Sequence, residues 1–341
     1  MIIKKISLLF GLVVTLGVLG YATSSFAMTI TPVRYELQGD PGQTVVKEMT
    51  IINEGSTSVT YYSSFANFEA QGETGSAAFV EPKDDIGTWI TTNDKVELLP
   101  GEQKNVSFSI SIPQNAEPGG HFGVIFWGTS PEHSQDGKQL SVSAKTGLLV
   151  LLSVKGDVKE GGGLLDFIKK DNKFFYNSLP VSFVYRFKND GGDRIKPVGK
   201  IQIRDTFFLP TKKLDANPIN GNILPDSTRK FPVDWVNYTE SKDFIQPTGF
   251  IKSFLHKVGY QWKNFAVGLY SANLNITYGT KGESASRMVF FFVFPWQLLI
   301  VILIILVIVF FTGKKLIKKY NRYIIKKARA GMHIPNEAHH D

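Results

Sequence analysis

Few side chains in this 341-residue sequence stand where type and spacing would let them do chemistry together. Glu81, Asp84 and Asp85 lie just ahead of Trp89, and carboxylates beside an indole are the parts of a cation or carbohydrate site. A solvated loop between strands is the plainer reading and is preferred, because loops collect such residues without any site. His121 follows Pro118-Gly119-Gly120; a metal would need several further ligands at defined spacing, so an exposed corner residue is expected. His339 and His340 are read as part of a frayed tail. Asn105, Asn237 and Asn275 open Asn-x-Ser/Thr triplets, which arise readily by chance and carry no weight. No Gly-x-Ser-x-Gly elbow occurs, and no convergent set of acid, base and nucleophile is visible. No catalytic residue, cofactor or metal is assigned. The absence of cysteine excludes a disulfide framework, a thiolate metal site and a lipidated-cysteine anchor.

The elements that would position any site begin with the two ends. Lys4 and Lys5 precede an apolar run over residues 6–19, and Ser25-Phe26-Ala27 places small residues where a signal peptidase reads. Residues 1–27 are therefore predicted to be a signal peptide. Residues 296–312 are almost unbroken Leu, Ile, Val and Phe. With the apolar approach from Val289, they supply the roughly 20 residues needed to cross a hydrocarbon layer about 30 Å thick. Trp296 sits where an interfacial aromatic belongs.

Behind that segment come Lys314, Lys315, Lys318, Lys319, Arg322, Lys326, Lys327 and Arg329, whereas the nearest cation ahead of it is Arg287. Positive flanks stay in the cytoplasm, so the expected topology is a single pass of the cell membrane. Residues 28–295 would lie outside and a basic tail, 313–341, inside. The formal charge of +8 resides in these ends: the two leading lysines and the tail cations, against Glu337 and Asp341, account for all of it. The intervening stretch is formally neutral, so no nucleic-acid partner is indicated. The tail cations, Lys314, Lys315, Lys318 and Lys319 foremost, suit anionic lipid headgroups. No Leu-Pro-x-Thr-Gly signal precedes the helix, which leaves the helix as the anchor.

Between the ends, short segments alternate apolar and polar residues, as in Val106-Ser107-Phe108-Ser109-Ile110, and turn signals such as Pro41-Gly42 and Pro100-Gly101 punctuate them. Residues 28–295 are too many for one immunoglobulin-sized sandwich of about 100 residues. The expected fold is all-β: two tandem immunoglobulin-like antiparallel β-sandwiches followed by a single transmembrane α-helix. The sandwiches are assigned to residues 28–155 and 164–295, the second with an insertion at 240–264. A glycine-rich linker at 156–163 would impose no preferred direction. A weak repeat supports the division: Leu98-Leu99-Pro100-Gly101 and Ile223-Leu224-Pro225-Asp226 each precede a strand, a connection and another strand opening with Gly and aromatic residues. The repeats are read as the last strands of two related sandwiches.

Asn189-Asp190-Gly191-Gly192 resembles a pattern of uncharacterised exported bacterial proteins of the same layout, while Thr31-Pro32-Val33-Arg34-Tyr35-Glu36-Leu37, the Asp40-Pro41-Gly42-Gln43 turn and Ile51-Ile52-Asn53-Glu54-Gly55 carry a family likeness. With the signal peptide, two sandwiches, one helix and basic tail, the chain resembles the WxL-interacting proteins of Gram-positive bacteria. That resemblance implies binding of cell-wall polymer or of another surface protein, and assigns no residue to it.

One further segment has membrane character. In residues 250–263, Ile251, Leu255, Val258 and Trp262 recur at helical spacing, with Phe250 and Phe254 beside them and Lys252, Lys257 and Lys263 around that face. Such a helix either lies in the bilayer interface or plugs the open end of its own sandwich. If the strand before the anchor pairs antiparallel with its predecessor, this helix sits at the membrane-proximal end. The function expected is a non-catalytic, membrane-anchored surface scaffold or adhesion protein. The alternative is a sensor or assembly subunit acting through its cytoplasmic tail.

Overall fold

The computed structural model describes residues 28–131, 145–241 and 246–331. The signal-peptide segment, His339 and His340 lie outside them. The first half contains β1 (Met28–Thr31), β2 (Arg34–Gly39), β3 (Thr44–Asn53), β4 (Val59–Gln71), β5 (Ser76–Val80), a short helix α1 (Ile86–Trp89), β6 (Ile90–Thr92), β7 (Lys95–Leu98), β8 (Gln103–Ser111), β9 (Gly119–Gly128) and β10 (Lys145–Val154). One sheet has the order β1-β3-β8-β6 and the other β2-β10-β9-β4-β5, with β7 on β4. The second half contains β11 (Gly162–Lys169), β12 (Phe175–Tyr176), β13 (Val181–Asn189), β14 (Val198–Arg204), β15 (Pro210–Asp215), β16 (Thr228–Trp235), helix α2 (Phe250–Lys263), β17 (Gly268–Tyr278), β18 (Glu283–Val293) and helix α3 (Trp296–Gly331). Its sheets run β11-β13-β16 and β12-β18-β17-β14-β15.

Alternation in sequence becomes alternation in burial. Val106, Phe108 and Ile110 of β8 point inward, as do Val181, Phe183, Tyr185 and Phe187 of β13, because successive side chains leave opposite faces of a strand. The first core centres on Trp127, Tyr61, Phe108 and Met49. The second is aromatic, with Tyr185 stacked on Phe231 at 4.8 Å and Trp235 edge-on to Tyr270 at 5.0 Å. The fold is thus two antiparallel sandwiches and one C-terminal apolar helix.

The repeat is deeper than the sequence reading made it. In each half the second strand pairs parallel with the last, β2 with β10 and β12 with β18, and the remaining ladders are antiparallel. The two repeated motifs map to β8–β9 and β16–β17, so they are the strands before the final one. A buried asparagine marks the same corner in both halves. Asn53 donates from Nδ2 to the carbonyls of Thr57 (2.8 Å) and Leu98 (3.1 Å) and accepts from the Gly55 amide. Asn189 donates to Asp193 (2.7 Å) and Ile223 (2.9 Å) and accepts from the Gly191 amide. Each side chain satisfies carbonyls that the crossing of two chain segments would leave unpaired.

The connection between the halves is not a free hinge. Asp190 N–H donates to the Gly161 carbonyl (3.1 Å), Gly192 N–H to Lys159 (2.9 Å) and Gly120 N–H to Gly192 (2.9 Å). Its glycines permit close approach: a Cβ on Gly162, at φ +149°, would lie 2.5 Å from the Lys188 carbonyl oxygen. The Pro118-Gly119-Gly120 corner of the first sandwich therefore rests on the second. On the other side, the β4–β5 turn clasps β13 and β16: Glu73 pairs with Arg186 (Nε to Oε2, 3.0 Å) and Lys230 (2.9 Å), and its carbonyl accepts from Lys230 N–H.

Candidate membrane-contact surface

The final strand delivers the chain to this surface. β18 pairs with β17 from Glu283↔Tyr278 to Val293↔Gly268, so the start of β17 and the end of β18 share one end of the second sandwich. Three residues beyond Val293, Trp296 opens α3. Residues Trp296–Ala328 are long and apolar enough to cross a membrane. The helix is longer than the 296–312 segment expected: it continues unbroken through Lys314, Lys315, Lys318 and Lys319 to Gly331, 36 residues in all. At about 1.5 Å per residue it measures roughly 54 Å, well beyond a hydrocarbon layer of about 30 Å. Lys314, Lys315, Lys318 and Lys319 are exposed around the helix, and Lys314 Nζ lies 4.5 Å from the Phe310 ring centroid.

Beside the first turn of α3 lies α2, over the segment whose periodicity predicted a helix. Its starting residue is preceded by Gly249 at φ +94° without a side-chain cap, so tertiary contacts must hold it. Those contacts are mainly polar. Gln261, 3% exposed and buried on α2, donates from Nε2 to the Gln297 side chain (2.5 Å) and the Asn177 carbonyl (3.1 Å), while its Oε1 accepts from Leu298 N–H (2.9 Å). At the C-terminal end, Asn264 accepts from the amides of Asn237 (3.1 Å) and Tyr238 (2.9 Å), donates to the Tyr238 carbonyl, and gives its own N–H to Tyr260. His256 Nε2 meets Glu240 Oε1 at 2.7 Å, and Lys263 sits over the Tyr238 ring.

Four large apolar side chains face the other way. Phe250 is 86% exposed and Ile251 71%; Leu255 and Trp262 are exposed as well, with Lys252 and Lys257 among them. Phe254, partly buried, touches Trp296 with ring centroids 6.3 Å apart and Phe250 at 6.4 Å. Of the residues that sequence singled out, the fold gathers Phe250, Phe254 and Trp296 into one aromatic group and aligns Ile251, Leu255 and Trp262 as an outward stripe. It does not use that stripe to plug the sandwich. Part of the helix's apolar face is thus turned outward, against the usual arrangement of a soluble amphipathic helix, while Phe254, Val258 and Tyr260 stay half-buried. Gln261, Gln297 and Asn264 were missed because their partners are remote in sequence; a glutamine near the end of one apolar segment and another near the start of the next was the only signal.

The acidic loop and His121, considered separately in sequence, do meet. His121 Nδ1 contacts Asp85 Oδ1, Nε2 lies 2.8 Å from the Glu117 carbonyl, and the Trp89 ring packs on the imidazole at 4.7 Å. Both ring nitrogens face acceptors, so the imidazolium is the form this corner satisfies. Burial alone would push the His121 pKa down; the Asp85 and Glu117 hydrogen bonds outweigh it and raise it. Glu81 and Asp84 stay at the surface. Among the described residues no three His, Asp or Glu side chains gather as a metal-holding group. The corner is an internal clasp, formed because α1 turns Asp85 back over the start of β9.

The class defined by these features is an all-β chain of two immunoglobulin-like sandwiches with a single apolar C-terminal helix. No family model matches the chain, and no curated protein sequence matches it. Among solved structures it is similar to the class 5 fimbriae chaperone CfaA, at 11% identity over 79% of this chain and 100% of that one, with a TM-score of 0.35. It is also similar to the E. coli chaperone DraB, at 10% identity over 78% and 97%, with a TM-score of 0.32. A chain from a chaperone–tip adhesin complex of CFA/I fimbriae biogenesis is 10% identical over 77% and 98%, at a TM-score of 0.36. No residue role passes from them to this chain.

Proposed function

We propose that the chain is a non-catalytic surface protein of the WxL-interacting kind, anchored by α3 in the cell membrane with its sandwiches outside and its basic end in the cytoplasm. The exposed apolar stripe of α2 beside Trp296 carries this reading. Burying apolar surface is worth about 25 cal/mol per Å², and a soluble protein would have turned Phe250, Ile251, Leu255 and Trp262 inward. Lipid at the level where α3 begins explains why they are turned outward. In this reading α2 lies on the outer leaflet, and Lys252 and Lys257 meet headgroup phosphates.

The same geometry makes the two sandwiches one stalk, because the Glu73 clasp and the Gly120–Gly192 contact oppose bending between them. The first sandwich is then the part displayed, and its partner would be another surface protein or cell-wall polymer. Another protein chain could add to the free side of edge strand β5, where Phe79 and Val80 are exposed. One observation favours the sensor or assembly reading: the Gln261–Gln297 contact ties the outer domain directly to the helix that continues inside. Crosslinking on cells with and without residues 313–341 separates the two, since partners kept without the tail support the scaffold and partners lost support the sensor. The anchor itself is tested by fractionation of the full chain. It must stay with membranes through salt and alkaline washing; recovery in the aqueous fraction would end the proposal.

A further inference from the structure

A second apolar feature lies level with α2, in a place the sequence reading passed over. β14 and β15 are joined by Asp205-Thr206-Phe207-Phe208-Leu209, and the last three are 79%, 64% and 60% exposed. Three adjacent large apolar side chains at a loop tip are costly in water, because each forgoes the gain of burial. Among the described residues of the second sandwich, nothing buries them.

The loop is built to hold them out. Asp205 accepts from the amides of Phe207 (2.9 Å) and Leu209 (3.0 Å) through Oδ1, and its carbonyl accepts from Phe208 (2.9 Å). Its own N–H donates to the Leu209 carbonyl (3.1 Å), and the Arg204 guanidinium donates to the Phe208 carbonyl (3.2 Å). The amides of Phe207, Phe208 and Leu209 and the carbonyls of Phe208 and Leu209 are thus paired within the loop, which favours entry into a medium without water. Phe208 has φ +60°, a region that disfavours a bulky side chain.

Position identifies what covers this tip. Thr206 Oγ1 donates to the Leu269 carbonyl and accepts from its amide, both at 3.1 Å. Leu269 follows Gly268, which pairs with Val293, three residues before α3 opens. The loop is therefore level with the start of α3, and lies two to three strands to its side in the order β18-β17-β14-β15, or about 10–15 Å. Arg204, Lys212 and Lys213, all exposed, flank it. An apolar tip within a ring of cations, level with the head of an apolar helix, matches the outer leaflet of an anionic bilayer.

We propose that Phe207, Phe208 and Leu209 insert into the outer leaflet while Arg204, Lys212 and Lys213 meet its anionic headgroups. With α2 this gives the stalk two lipid contacts on different sides of α3, so that its tilt is fixed in two directions. The inference rests on α3 spanning the bilayer.

The chain has no cysteine of its own, so a single engineered cysteine reports its site cleanly. Full chains carrying Phe207→Cys, Leu255→Cys, Val307→Cys or Lys104→Cys, labelled with an environment-sensitive fluorophore, are placed in phosphatidylcholine–phosphatidylglycerol vesicles with and without doxyl-labelled lipid. The expected result is a blue-shifted emission at 207 that doxyl lipid quenches, as at 307, with no quenching at 104. Leu209→Cys repeats the reading at a neighbouring position should the first variant fold poorly. Quenching at 307 without quenching at 207 and 209 overturns the loop insertion and leaves the anchor standing. No quenching at 307 removes the anchor, and the loop proposal with it. A blue shift at 207 that doxyl lipid leaves untouched and that vanishes on dilution into excess lipid means contact with a second copy, which also overturns it.

Discussion

At the scale of single residues, polar side chains do the connecting and apolar ones the facing. Asn53 and Asn189 occupy equivalent corners, and truncating either leaves buried carbonyls and an amide without partners, at a cost of about 1–3 kcal/mol. Asn53→Ala and Asn189→Ala should therefore destabilise the chain by similar amounts, read by denaturant unfolding in detergent; a neutral effect at either would show that the corners are not equivalent. His121 makes a second test. Its folded pKa is raised above 6.5, so its contribution is fully present below that value and lost as pH rises through the folded pKa. Melting temperature should fall as pH rises above 6.5, and Asp85→Asn should flatten that dependence. An unchanged slope in the variant would remove the Asp85–His121 pair as its source. Neither pairing was legible in sequence: Asp85 and His121 are 36 positions apart, and proximity of that kind is created by sheet order.

Elements show which features local pattern can reveal. Strands such as β8 and β16 were readable because Val106, Phe108 and Ile110, or Phe231, Val233 and Trp235, alternate with polar residues at the strand period. The α2 helix was readable from its period of 3.6, but the outward turn of Ile251, Leu255 and Trp262 was not, since periodicity gives a stripe without saying which way it points. Gln261 decides that, and its partners lie 84 and 36 positions away. Gln261→Ala should loosen α2 from α3, measured as faster amide exchange over residues 250–263 in the reconstituted chain; unchanged exchange would remove the clamp. The clasp between β4–β5 and the second sandwich gives an acid test. Hydrogen bonds from Arg186 and Lys230 hold the Glu73 carboxyl down to about 2. Its contribution is present above the ordinary value of 4.5 and lost as pH falls toward 2. Lowering the pH should separate the sandwiches only well below pH 4.5, by scattering, and Glu73→Gln should separate them more readily at neutral pH. The glycine linker looked free because composition reports permissiveness and not what packs against it.

For the whole molecule, one arrangement organises the rest: an apolar helix leaves the second sandwich at the end where α2 and the Phe207–Leu209 loop also expose their apolar groups. Two sandwiches and a terminal apolar helix were legible from alternation and from residues 296–312, whereas the strand order shared by the two halves, β6 and β7 apart, and the packed junction were not. The central claim is that α3 crosses the membrane once with both sandwiches outside. Labelling of Lys104→Cys and Lys319→Cys variants in intact cells by a membrane-impermeant maleimide tests it most directly. Residue 104 should react at once and residue 319 only after permeabilisation. Immediate labelling at 319 with protection at 104 would contradict the account.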